Sequence, residues 1–215
     1  MAITAALLGA FAVLGTALVA LTENDTRDLI AQNEREALRR KLNEVIPKDA
    51  YDNSITTDTV EATSKPLLGS AKPMTVYRAR KQGAPVAAVM TTVAPDGYTG
   101  AITLLVAVRY QQETIMGVRV IHHRETPGLG DWIDSERSDW ISHFAGHSLS
   151  DPDELGWRVV KDGGIYDQFT GATITPRAVV KAVHNSLKYF HAHKDELFGN
   201  EAAADGAAGG GHGAE

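Results

Sequence analysis

Three threonine hydroxyls lie close together just before a stretch with helical periodicity. They are Thr170, Thr173 and Thr175, and the small residues Gly171 and Ala172 stand between the first two. The start of a helix exposes free N–H groups and carries a partial positive charge, so it favours a phosphate. Hydroxyls and small residues beside such an end predict an anion-binding loop. The alternative is an ordinary capped turn before a helix.

The helix after this loop is predicted from the spacing of its apolar residues. We expect Thr175 to be the N-cap, with its hydroxyl accepting a hydrogen bond from a free amide. Pro176 suits the first helical position, because its missing N–H would be unpaired there. The apolar residues that recur at helical spacing are Val179, Val180, Val183, Leu187 and Phe190.

Composition restricts the chemistry open to the chain. The 215 residues carry a net charge of −6 and include no cysteine. An acidic chain of this length gives no indication of a nucleic-acid partner. Without cysteines there is no disulfide, thiolate cluster or cysteine nucleophile, so a redox role would require a bound organic cofactor or a cysteine-free metal site.

The middle of the chain predicts an antiparallel sheet. β-rich runs joined by short turns cover residues 74–80, 86–93, 101–109 and 114–121, with an irregularity expected at Gly117. A short helix is expected at 134–144 and a short strand at 157–160. The fold class predicted is therefore α+β, a twisted, mostly antiparallel sheet with flanking helices.

The N-terminal segment is expected to be a membrane anchor. Residues 1–21 contain no charged side chain, and about 20 apolar residues span a bilayer as a helix. A cleaved signal peptide and a buried core helix are the alternatives; the lack of a basic start and of a clear cleavage site argues against the first. Residues 22–46 are predicted to form a charged helix that Pro47 ends, packing on the domain or on a partner.

A second loop predicted to approach a ligand follows the last strand. It contains Thr126, Pro127, Gly128, Leu129 and Gly130, residue types that form tight turns; a plain connection is the alternative. Metal binding is not expected at His122 and His123, since neighbours on a strand point to opposite faces. The same holds for His191 and His193, which are two apart on a helix. Trp132, beside the loop, is a candidate to stack on a ring.

Three segments of the chain resemble one protein family. Asp167-x-x-Thr170-Gly171-Ala172-Thr173 is similar to the flavinylation signature Asp-x-x-Ser/Thr-Gly-Ala-Thr. We call residues 167–176 the threonine segment. The tyrosine segment (residues 94–100) and the glycine segment (residues 125–131) resemble parts of the G subunit of the Rnf electron-transport complex. With the N-terminal apolar stretch, the resemblance covers about residues 1–198.

The resemblance implies a function and a site. A flavin transferase would move FMN from FAD onto Thr173 as a phosphodiester, with Asp167 assisting recognition and the glycine segment lying beside the flavin. The chain would be an electron-carrying component with no turnover of its own. Its complex would couple electron flow between ferredoxin or flavodoxin and NAD to ion movement. It would cross the bacterial inner membrane once, among membrane lipids and other Rnf subunits, with its main domain in the periplasm.

The sequence pattern and the resemblance together give the domain boundaries, and two alternatives remain. We expect an anchor at 1–22, a membrane-proximal helix at 23–47, an FMN-binding domain at 48–198 and a disordered tail at 199–215. The C subunit of the sodium-translocating NADH:quinone reductase shares the flavinylation motif and is the nearer alternative. An anchored binding or assembly module without redox chemistry is the other.

Overall fold

The computed structural model describes residues 2–199, and the expected tail lies outside the described residues except for Gly199. The chain divides into two units, residues 1–40 and 41–215. One helix, α1, runs Ala2–Val45, so the two helical segments expected before Pro47 form a single helix. Side chains are described for only part of residues 1–35. Among the described residues, no helix is both long and apolar enough to cross a membrane.

The second unit is built on one five-stranded antiparallel meander. The strands are β1 (Thr59–Ser64), β2 (Ser70–Lys81), β3 (Ala84–Ala94), β4 (Ile102–Arg109) and β5 (Ile115–His122). They follow one another across the sheet in chain order, which is the arrangement that short turns allow. The four predicted strands are confirmed. The register shift opposite Gly117 confirms the irregularity expected there.

Two elements at the start of the sheet were not predicted from the sequence pattern. They are β1 itself and the four-residue helix α2 (Lys65–Leu68), which follows it directly. Ser64 caps α2 by accepting from Leu67 N, and Pro66 stands in its first turn. A serine before such a turn is a common helix start, but one turn is too short to show periodicity.

Both faces of the sheet are covered. Alternate residues of β4, such as Leu104 and Val106, belong to the main core under helix α3 (Ile174–Gly199). The residues between them, Leu105 and Ala107, are also buried. On their side the end of α1 packs with Val45 against Gly117, the strand partner of Ala107. The packing expected of the helix before Pro47 is therefore confirmed for its last turn.

Two of the expected elements are wrong. Residues 134–144 are not one α-helix; 3-10 helices cover Gly130–Ile133 and Trp140–Phe144 with a turn between them. The reason is local: Asp134 accepts from Glu136 N and Ser138 Oγ accepts from Trp140 N, which competes with helical bonding. Residues 157–160 form no strand; one parallel bridge joins Val159 to Tyr166, and a 3-10 helix covers Val160–Asp162.

Candidate functional site

The three sequence segments meet in one pocket at the N-terminal end of α3. Its cavity is ≈ 120 Å³. The predicted site residues that line it are Thr126, Leu129, Gly130, Gly171, Ala172, Thr173 and Thr175, joined by Tyr98, Glu125 and Ile174. The other predicted residues, Asp167, Thr170, Pro127 and Gly128, do not line it. Segments far apart in the chain thus form one site because β5 and α3 bring their ends together.

The start of α3 differs from the expected one. The helix begins at Ile174, and the Thr173 carbonyl accepts from Arg177 N at 3.3 Å, which makes Thr173 the N-cap. The prediction that Thr175 is the N-cap is wrong, and so is the placement of Pro176 at the first position. Proline is third in the helix, where its amide would again be unpaired.

The Thr175 hydroxyl points away from the helix backbone. Its Oγ1 donates to Glu125 Oε2 at 2.5 Å, and both residues are buried. A threonine hydroxyl at this position can either accept from a helix amide as a cap or bond to another side chain. Here it donates to the buried carboxylate of Glu125. The residue predicted to be a cap therefore ties α3 to the glycine segment.

The Thr173 side chain is partly exposed at the pocket wall. Within residues 2–199, no hydrogen bond occupies its hydroxyl. The amides of Ile174 and Thr175 have no carbonyl partner in the described part of the chain. Gly171, two residues earlier, has φ +80, a backbone angle that glycine adopts at no steric cost. Free amides at the start of a helix favour an anion such as a phosphate.

The threonine segment is fixed to the core by Trp140, and an ion pair between Asp162 and Arg177 joins the chain before it to α3 after it. Trp140 Nε1 donates to the Asp167 carbonyl at 2.8 Å, and the Phe169 ring packs edge-on against Trp140. Arg177 donates to both carboxylate oxygens of Asp162, one at 2.6 Å. This hydrogen bonding lowers the pKa of Asp162. The loop between is therefore held at its ends while the pocket residues stay accessible.

The glycine segment is shaped by two carboxylates. Asp131 Oδ1 accepts from Gly128 N at 2.7 Å, and the amides of Leu129 and Gly130 donate to the Thr126 carbonyl. Glu125 is buried, with 4% exposure. The sequence patterns contained Glu125 and Tyr98 within their segments but did not assign them to the site. The only sequence signal that could have assigned Glu125 to the site was its position next to Thr126, a predicted site residue.

Neither the histidines nor Trp132 joins the pocket. His123 Nδ1 accepts from Glu125 N at 3.1 Å, which supports the turn. Among the described residues, no group of three or more histidines and carboxylates could hold a metal ion. Trp132 is exposed but is not a lining residue.

The pocket and its segments correspond to a known class of domain. The family model described as "FMN-binding domain" matches residues 97–188. This range contains the glycine and threonine segments completely and the tyrosine segment from residue 97 onward. The model described as "RnfG N-terminal region" matches residues 1–45.

Similar proteins define the family more closely. The G subunit of the ion-translocating oxidoreductase complex of Pseudomonas aeruginosa (strain UCBPP-PA14) is 49% identical over 200 residues, covering 93% of each chain. The protein of that name from Shewanella baltica (strain OS223) is 46% identical, covering 89% of this chain and 90% of its own. The one from Vibrio cholerae (strain ATCC 39541) is 45% identical with the same coverage. This chain belongs to the family of G subunits of ion-translocating oxidoreductase complexes.

A solved structure is also similar in sequence. NqrC of Shewanella oneidensis is 28% identical, with 73% of each chain covered and a TM-score of 0.43.

Proposed function

We propose that this chain is the electron-carrying flavoprotein of an Rnf-type ion-translocating complex, with FMN linked through its phosphate to Thr173. Family membership and the match to the FMN-binding domain support the class of protein and the cofactor. The observation that supports Thr173 as the attachment site is its hydroxyl at the start of α3, which has no hydrogen-bond partner among the described side chains. Bound FMN would supply the redox chemistry, and the protein would hold and tune it.

The residues at the pocket fit the two parts of the cofactor. The free amides of Ile174 and Thr175 would face the phosphate, since helix N-termini bind anions. The cavity of ≈ 120 Å³ is smaller than the roughly 300–1,000 Å³ of pockets that enclose drug-sized ligands. The apolar side chains of Tyr98, Leu129 and Ile174 are 68%, 41% and 45% exposed at its rim. We infer that the flavin ring lies against this rim, accessible to electron-transfer partners.

The attachment site is tested by replacing single hydroxyls after expression with a flavin transferase. Thr173→Ala removes the attacked oxygen, so covalent flavin should be lost completely. Thr173→Ser keeps a hydroxyl and should retain part of the label. Thr63→Ala is the matched control, because Thr63 is an exposed threonine of β1 outside the signature and the pocket, and it should be labelled. Thr170→Ala tests the other exposed hydroxyl of the signature. The readouts are intact mass and flavin fluorescence in a denaturing gel.

Each result separates the proposal from its alternatives. Fluorescence that persists in Thr173→Ala and disappears in Thr170→Ala would move the attachment site. A wild-type chain that gains no mass would favour an anchored binding or assembly module. We propose the Rnf complex rather than the sodium-translocating reductase because relatives at 45–49% identity are named as G subunits of an ion-translocating oxidoreductase complex. The electron donor and acceptor would then be other subunits of that complex.

The membrane anchor rests on sequence. Residues 1–21 carry no charged side chain and fall within the matched N-terminal region, and a helix of that length reaches across a bilayer. We propose a single-pass inner-membrane protein with residues 48–198 in the periplasm. The chain should resist alkaline extraction of membranes, and spheroplasts should expose its domain to added protease. Release by alkaline washing would rule out the anchor, and protection from protease would reverse the orientation.

A further inference from the structure

The carboxylate of Glu125 is the point where the three segments of the pocket are tied together. Its Oε1 accepts from Thr99 N and from Thr99 Oγ1, each at 3.1 Å. Its Oε2 accepts from Thr175 Oγ1 at 2.5 Å. One side chain of the glycine segment thus contacts the tyrosine segment and the first turn of α3.

The surroundings of Glu125 hold a negative charge. Three donors face its two oxygens, which is the pattern that an ionised carboxylate takes. Within residues 2–199 it forms no ion pair with a lysine, arginine or histidine. Its other compensation is the positive end of α3, since Thr175 lies in the first turn. The charge is therefore stabilised by dipoles and is not neutralised by a cation.

Tight packing keeps this carboxylate in place. A Cβ on Gly130 would lie 2.6 Å from Glu125 Oε2 and 2.9 Å from Thr175 Oγ1. A Cβ on Gly97 would lie 3.0 Å from Glu125 Oε1. Glycines at these two positions allow the backbone of both segments to close around the carboxylate, while Glu125 itself remains a lining residue of the pocket.

From this arrangement we propose that Glu125 is the residue that lowers the reduction potential of the flavin held in this pocket. The inference rests on the proposed function, because it requires FMN on Thr173. Reduction adds electrons to the flavin, and a fixed negative charge at low local dielectric opposes that gain. The same carboxylate positions the loops, so charge and position need separate tests.

Glu125→Gln removes the charge and can keep the contacts. The amide oxygen can accept from Thr99 as Oε1 does now, and the amide nitrogen can donate to the Thr175 hydroxyl, which rotates to accept. The flavin should become easier to reduce, by about tenfold in the equilibrium constant, or about 30 mV for a two-electron couple. Glu61→Gln is the control, because Glu61 is an exposed residue of β1, at the opposite edge of the sheet from β5. The flavin of this variant should have the same reduction potential as that of the wild type.

A second variant leaves the charge in place and removes part of its hydrogen bonding. Thr99→Val removes one donor to Oε1 and leaves the carboxylate, so the negative charge is less well screened and the potential should fall. It also carries the test if Glu125→Gln does not fold. Thermal unfolding of each chain without flavin separates positioning from charge: a purely structural role would change stability and leave the potential the same.

The experiment is potentiometric titration of the flavinylated full-length chain and its variants. A higher potential in Glu125→Gln, a lower one in Thr99→Val and no change in Glu61→Gln support the proposal. An unchanged potential in a folded Glu125→Gln variant, or an unchanged or raised one in Thr99→Val, overturns it. If the wild-type chain carries no FMN at all, the proposed function itself has failed, which is a different result from flavin present at an unshifted potential.

Discussion

The pocket side of the N-terminal end of helix α3 and its C-terminal end are held by different kinds of interaction. At its N-terminal end, neutral hydroxyls and amides surround one buried carboxylate, and apolar side chains are left exposed around a pocket. At its C-terminal end, full charges meet. Lys194 and His191 bind Glu113, the Tyr110 hydroxyl donates to Asp195, and Arg78 donates to the Leu197 carbonyl.

The difference separates stability from chemistry. The C-terminal contacts join α3 to β2 and to the turn between β4 and β5, and none of these residues lines the pocket at the other end. The N-terminal contacts leave a hydroxyl, free amides and a cavity. We therefore expect changes at the C-terminal end to lower the free energy of unfolding without affecting flavin attachment. Changes at the N-terminal end should alter the flavin.

The largest effect is expected from Asp58→Asn. Asp58 accepts from Arg78 Nε at 2.5 Å and from Arg80 Nε at 3.0 Å, and both arginine side chains are only 10% exposed. The substitution keeps the shape but removes the negative charge that these two buried guanidinium groups face. The free energy of unfolding should fall by about 3 kcal/mol, the cost of breaking a buried ion pair. Urea unfolding measures this.

Covalent attachment of flavin to the same variant tests whether the C-terminal contacts affect the pocket. Asp58→Asn should still receive covalent flavin under conditions where the chain is folded. Glu61→Gln, an exposed carboxylate on the neighbouring strand, should unfold as the wild type does. A loss of less than about 1 kcal/mol in Asp58→Asn would place this cluster among ordinary surface ion pairs and remove the contrast between the two ends.

A pair of glycine substitutions is expected to have an intermediate effect. In Gly130→Ala the new Cβ would clash with Glu125 and Thr175, so we expect a loss of about 2 kcal/mol. In Gly128→Ala the new Cβ would have no atom within 4 Å, but the backbone φ of +77 costs an alanine about 1 kcal/mol. Both chains should be flavinylated, because Thr173 is unchanged, while the flavin spectrum or potential should shift more in Gly130→Ala. Equal shifts in both variants would mean that backbone strain matters and Glu125 does not.

How far the sequence predicts this molecule depends on the range of the interactions. The β-rich runs at 86–93 and 101–109 are a local signal, and strands formed there. Helix α3 was equally clear from its apolar spacing. The helix expected at 134–144 failed because apolar spacing did not reveal the side-chain bonds of Asp134 and Ser138 to nearby amides.

The site shows the same limit. The threonine, glycine and tyrosine segments could be found from their residue types, and the structure brings them together. The role of Thr175 could not be found, because its partner Glu125 is 50 residues away in the chain. Thr99, the other partner, is 26 residues from Glu125. A cap and a long-range tie require the same residue type at the same position, so only the fold distinguishes them.

The smallest effect should come from Glu113→Gln, and it depends on pH. Burial raises the pKa of Glu113, but the hydrogen bonds from Lys194 and His191 outweigh it and leave the pKa below its ordinary value of 4.5. Glu113 in turn raises the pKa of Lys194. A carboxyl group with a lowered pKa stabilises the fold above its ordinary pKa, and that stability is lost as the pH falls through the folded-state value.

Glu113→Gln should therefore be less stable than the wild type at neutral pH, by less than about 1 kcal/mol because solvent reaches this cluster of charges. The difference should begin to shrink as the pH falls through about 4.5 and should vanish only below the lowered folded-state pKa, because the folded wild-type carboxyl keeps its charge down to that pH. Thermal unfolding of both chains from about pH 7 to about pH 3 measures it, with Glu136→Gln, at an exposed glutamate outside this cluster, as the control. A difference that stays constant over this range would show that shape and packing of Glu113, and not its charge, hold the C-terminal end of α3.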